Sequence, residues 1–149
     1  SGDWSSDVCS SDLSSYAQIK LLNNREFHKG NLFSILTAKD ELNRDFFVFN
    51  ADHYYSPGNY QKILQDHGDQ IVIMCDQDRE LVDDDMKVLQ TGTVLKQMNK
   101  KLSSFQMGYV GVTYIPRSCH DRYWQACSQV QQTLGDHANV ESVLNHLAI

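Results

Sequence analysis

At 149 residues with 41% apolar side chains, the chain is long enough for one domain with a real core and too short for two. No apolar run approaches the roughly 18 residues of a membrane helix, which excludes a spanning segment of that kind and predicts a soluble protein, and four scattered cysteines that demand no disulfide predict a cytoplasmic one. A formal charge of -6 excludes a broadly basic surface for a nucleic-acid polymer, so a nucleotide partner is expected to be a free one.

Residues 1–15, SGDWSSDVCSSDLSS, hold seven serines and three aspartates and show neither helical nor strand periodicity. They read as a disordered lead resembling translated adapter sequence, outside a domain that covers residues 16–149. From Tyr16 the periods switch between strand and helix, the pattern of an α/β domain. A short strand is expected over Ala17–Leu22. Gly30-Asn31 then opens a helix that keeps Leu32, Ile35, Leu36 and Leu42 to one side. Phe46-Phe47-Val48-Phe49 is continuously apolar, as expected of a central strand covered on both faces, and it stops at Asn50-Ala51-Asp52-His53.

Ser56-Pro57-Gly58 signals a second helix, with Tyr60, Ile63, Leu64 and His67 recurring at helical spacing. Ile71–Cys75 is another apolar strand, so residues 45–75 read as a right-handed βαβ crossover in a partly parallel sheet. After the acidic run Asp83-Asp84-Asp85, Met86–Gln90 and Thr93–Met98 read as a hairpin about Thr91-Gly92. Met107–Pro116 is a further strand. Helices follow at 119–134 and 140–148, the last capped by Asn139. The expected architecture is a three-layer Rossmann-like α/β domain with a mixed, mostly parallel sheet and helices on both faces. No Gly cap or closing strand follows the last helix, so the domain is expected to be incomplete. Cys9, Cys75, Cys119 and Cys127 form no C-x-x-C pair and are expected as reduced thiols.

Asp52 ends the most apolar strand, and in open α/β sheets ligands gather outside the carboxyl ends of strands. A carboxylate there suits a Mg²⁺ that faces a phosphate chain, while the alternative is a turn aspartate. Tyr54 and Tyr55 follow it, either lining a pocket or packing. His53 is placed to hydrogen-bond near such a metal or to orient the loop. No G-x-S-x-G, Walker loop, G-x-G-x-x-G or H-E-x-x-H is present.

The stretch from Asn23 through HKGNLFSILTAKDELNRDFFVFNADHYYS resembles the sugar-phosphate nucleotidyltransferases, especially cytidylyltransferases acting on inositol phosphate or choline phosphate. The segments MKVLQTGTVLKQMNKKL and YVGVTYIP continue the resemblance, which covers residues 17–149. It implies that Asp52 holds the catalytic Mg²⁺ and that Gly30, Asn31 and Ser34 belong to the region meeting the base and ribose. It also implies that Lys87, Lys100 and Gly111 lie near the acceptor phosphate, with Lys100 neutralising it. The implied partners are a nucleoside triphosphate, CTP by preference, and a phosphorylated sugar, polyol or amino-alcohol. The chain departs from the family pattern in lacking its Gly-rich phosphate loop and a second metal-binding Asp, so by itself it is expected to be inactive. A glycosyltransferase is the nearest alternative, but its D-x-D pair is here Asn50-Ala51-Asp52, with one carboxylate. A non-catalytic nucleotide-binding or regulatory module is the other.

Overall fold

The computed structural model describes residues 19–50, 55–65 and 67–148. Helix α1 (Leu32–Ala38) passes through a 3-10 turn to strand β1 (Phe46–Phe49), and α2 (Pro57–Gln65) leads to β2 (Val72–Asp76). Strands β3 (Lys87–Thr91) and β4 (Val94–Asn99) form the expected hairpin, and β5 (Met107–Ile115) precedes α3 (His120–Leu134) and α4 (Val140–Leu147). The periods placed these elements to within a residue or two at most ends. Asn139 caps α4 as expected, its Oδ1 accepting the Ser142 N–H at 2.8 Å.

Strand pairing departs from the expectation. Every pairing among the described residues is antiparallel, so the mostly parallel sheet is corrected. β1 and β2 do point the same way, because both run antiparallel to β5, but β5 lies between them. At Thr113 it pairs with Val48 on one edge and Ile73 on the other. β3 joins β5 at Met107 and Gly108, and β4 follows β3. A strand's alternation tells which side chains face the core and not which strand lies alongside, so a partner more than sixty positions downstream leaves no local trace.

The doubly covered central strand is β5, buried at eight of nine positions, and not β1, whose Phe49 is 54% exposed. The strand expected over Ala17–Leu22 is also corrected where it is described. Residues 19–22 are irregular, and Ile19, Leu21 and Leu22 remain exposed, because strand backbone needs a partner to satisfy its hydrogen bonds.

Alternation along β1 shows how the helices are layered. Phe46 and Val48 belong to a core built with Leu32 and Phe33 of α1, Tyr123, Cys127 and Val130 of α3, and Val143 of α4. Phe47 and Phe49 turn the other way, onto Tyr60 of α2. Helices thus lie on both faces, as expected. A second core under the hairpin joins Val88, Met98, Met107 and Tyr109 to Val140 and Leu144 of α4. No described helix is long and apolar enough to cross a membrane.

The end of the sheet where β1 begins is tied by Asp45. Its carboxylate accepts the Arg117 N–H and the Tyr114 hydroxyl, each at 2.8 Å. These bonds, the Arg117 one first, hold its carboxyl below the usual carboxylate range, with His67 and His120 adding smaller effects. A depressed folded pKa contributes stability that is fully present above the unfolded value of about 3.9 and is lost as pH falls through the folded one. Asp45→Asn should therefore flatten the acid fall of melting temperature below about pH 4. The effect should be modest, because the group is exposed. Parallel acid limbs for the two proteins would remove Asp45 from the pH dependence.

Candidate functional site

β1 and β2 stop at the same end of the sheet, beside an irregularity in β5. Register slips between Ile73, opposite Thr113, and Cys75, opposite Tyr109, which leaves Val110–Val112 bulged against Met74. Gly111 occupies that bulge with φ +82°, a left-handed conformation that side chains with a Cβ rarely adopt. Its carbonyl accepts the Asn50 N–H at 3.3 Å. A Cβ at this position would stand 2.8 Å from Asn50 Nδ2. The glycine thus lets Asn50, the residue after β1, close over the bulge.

Beside the bulge a cleft of about 480 Å³ opens between α2 and β2. Ile63, Ile73 and Met74 line it with apolar side chains, and Asn59, Lys62 and Asp76 line it as well, the Asp76 carboxylate also accepting the Asp78 N–H and facing Arg79 Nε at 3.5 Å. Tyr55 forms one wall and donates its hydroxyl to the Val110 carbonyl. An apolar lining with a few polar groups, at the carboxyl ends of strands, suits a small polar ligand with one apolar face. Burial pushes the Cys75 thiol up to about 12, so it remains protonated and is not a nucleophile at neutral pH. Tyr55 had been a sequence candidate for a pocket wall. Asn59, Lys62 and Asp76 are not among those candidates, although the strand-end rule, had it been applied to β2, would single out Asp76.

The residues singled out in the sequence fall into three places, with Asp52 outside the described residues. Gly111 is at the bulge. Gly30, Asn31 and Ser34 meet the α3–α4 connection and the preceding loop. The Gly30 N–H donates to Asp136 O at 2.8 Å, Asn31 Oδ1 accepts the Val140 N–H at 2.9 Å, and Ser34 Oγ accepts from Asn24 Nδ2 at 3.1 Å. Lys87 and Lys100 come together at the base of the hairpin. The Lys87 ammonium donates to the Lys100 carbonyl at 2.8 Å, and the Lys100 side chain pairs with Asp84. Among the described residues no three His, Cys, Asp or Glu side chains gather to hold a metal.

No protein-family model matches the chain, and no curated protein does. Fourteen chains of solved structures match. One is the crystal structure of UDP-glucose pyrophosphorylase complexed with UDP-glucose, with a TM-score of 0.54 and 14% identity. The match covers 80% of this chain and 50% of that one, so the present chain spans about half the length of its structural relative. At this identity the likeness shows the fold alone, an α/β arrangement of strands and helices shared with that structure.

Proposed function

We propose that the chain forms part of a nucleotidyltransferase that couples a nucleoside triphosphate to a phosphorylated sugar, polyol or amino-alcohol and releases pyrophosphate. The observation that carries this reading is the convergence of β1 and β2 on the β5 bulge, next to an open cleft, in a fold shared with a pyrophosphorylase. An acceptor phosphate oxygen attacks the α-phosphorus in line. The new O–P bond forms as the bond to the β-phosphate breaks, and pyrophosphate leaves. Such transfers depend on positioning and charge neutralisation more than on a protein nucleophile, which agrees with a cleft whose thiol is protonated. Mg²⁺, when bound, offsets phosphate charge. In this reading Asp52 holds that ion, Lys100 neutralises the acceptor phosphate and the Gly30–Ser34 segment supports the nucleotide. CTP is the preferred donor by resemblance of sequence.

Titration calorimetry with CTP, UTP, ATP and GTP, each with and without Mg²⁺, tests the reading. One triphosphate should bind better with Mg²⁺, and Asp52→Asn should weaken that binding about tenfold or more, roughly 1.4 kcal/mol, while leaving Mg²⁺-free binding unchanged. If none of the four binds the folded chain, the proposal fails. Equal affinities for the wild type and Asp52→Asn in Mg²⁺ would leave a nucleotide-binding domain without this metal ligand.

A further inference from the structure

Lys87 is the first residue of β3 and is 7% exposed. A lysine so deeply buried usually has a carboxylate partner; Lys87 makes no direct ion pair among the described residues, and the nearby Asp85 carboxylate feels its charge without bonding to it. The Lys87 ammonium instead donates to two backbone carbonyls, Val82 at 3.0 Å and Lys100 at 2.8 Å, and lies 5.7 Å over the Phe105 ring. The two carbonyls belong to different connections. Val82 is in the acidic loop between β2 and β3, a loop closed on itself by Asp85, which accepts the Val82 N–H at 2.7 Å and both terminal nitrogens of Arg79. Lys100 follows β4, where Asn99 Oδ1 accepts the Lys101 N–H at 2.8 Å and turns the chain. Between these two backbones the Lys100 and Asp84 side chains meet, the first 49% and the second 90% exposed.

We propose that Lys87 is a positioning residue that acts through Lys100: it holds the Lys100 turn against the acidic loop, so that Asp84 occupies the Lys100 ammonium until a phosphate displaces it. This rests on the reading of Lys100 as the residue that meets phosphate. Two chemical reasons support it. The Lys87 ammonium is spent on carbonyls inside the protein and is not turned to a ligand, so it acts on backbone position. The Asp84–Lys100 pair is a solvent-exposed ion pair of small net strength, which a phosphate carrying more charge than one carboxylate can replace. Asp84 then serves as a stand-in anion that keeps Lys100 extended toward the loop.

The test measures two quantities on the full chain: the acetylation rate of the Lys100 amine, read by peptide mass spectrometry, and the affinity for inorganic phosphate. Asp84→Asn should speed Lys100 acetylation and raise phosphate affinity, each about two- to fivefold, the range expected for losing an exposed ion pair. Lys87→Met should keep the fold yet also speed Lys100 acetylation, because the turn is no longer held, and should lower phosphate affinity. Lys87→Arg should restore part of both. A folded Lys87→Met variant with unchanged acetylation and unchanged affinity would reduce Lys87 to a structural prop and overturn the proposal. If Lys87→Met does not fold, Lys87→Gln, which keeps one donor group for the two carbonyls, takes its place with the same readings. An unchanged Lys100 rate in Asp84→Asn also overturns the proposal, because Asp84 then does not occupy the ammonium. If the wild type binds no phosphate while the acetylation rates move as stated, the positioning stands and the phosphate reading of Lys100 fails.

Discussion

Gly30→Ala should destabilise the protein by about 3 kcal/mol, the upper part of the range for overpacking a closely fitted site. The added Cβ would stand 1.9 Å from the Ala138 carbonyl oxygen and 2.8 Å from its carbon. Both are backbone atoms, so no side chain can rotate away. Ala138 is itself fully buried, and the joint is fastened by the Gly30 N–H to Asp136 O and by Asn31 Oδ1 to the Val140 N–H. Relieving the overlap therefore means pulling α1 away from the start of α4. Gly58→Ala is the control. It lies in α2 with its nearest non-neighbouring heavy atom, Ser56 Oγ, 4.0 Å from the new Cβ, and it should gain up to about 1 kcal/mol from lower chain entropy. Urea unfolding of the three proteins with equal m-values gives both numbers. Wild-type stability in Gly30→Ala would show that the joint is loose. A folded Gly30→Ala protein with weakened nucleotide binding would favour the ligand-contact role that the sequence resemblance implies for this segment.

The second large effect is expected at Asn145. Its side-chain amide faces the Met98 backbone in both directions, Oδ1 accepting the Met98 N–H and Nδ2 donating to the Met98 carbonyl, each at 2.8 Å. One residue of α4 thus does for β4 what a neighbouring strand would do, and covers part of an edge that would otherwise be open to another chain. Asn145→Ala leaves two part-buried backbone groups without partners, and at about 1–3 kcal/mol for each such group the combined loss should be about 2–6 kcal/mol. Hydrogen exchange locates the effect: the Met98 amide should lose protection by orders of magnitude while the β5 amides, paired to β1 and β2, keep theirs. Unchanged protection at Met98 would show that the amide pairing contributes nothing. Asn145→Asp should not rescue the loss, because a carboxylate has no donor for the Met98 carbonyl and turns a negative charge toward it.

Much of the local structure was determined by the sequence itself. The helical spacing of Leu32, Ile35 and Leu36 sets the buried side of α1, the glycine after Thr91 marks the hairpin turn, and Asn139 caps α4. These features follow from interactions within a few residues, where the periods of helix and strand act. The apolar run Phe46–Phe49 also located a strand end correctly, and the β5 bulge and the cleft lie at that end. Long-range neighbours decided the rest. Insertion of β5 between β1 and β2 joins residues far apart in the chain, and no local period encodes such a pairing. Residues 19–22 have strand-like composition, yet composition cannot supply the hydrogen-bonding partner that makes a strand. Lys87 and Asn145 show the same limit at single side chains. The sequence resemblance puts Lys87 near the acceptor phosphate, and nothing near Asn145 in the chain marks that residue out. The fold carries backbone carbonyls and amides to them from remote segments, and buried backbone groups need partners, so both side chains are turned inward.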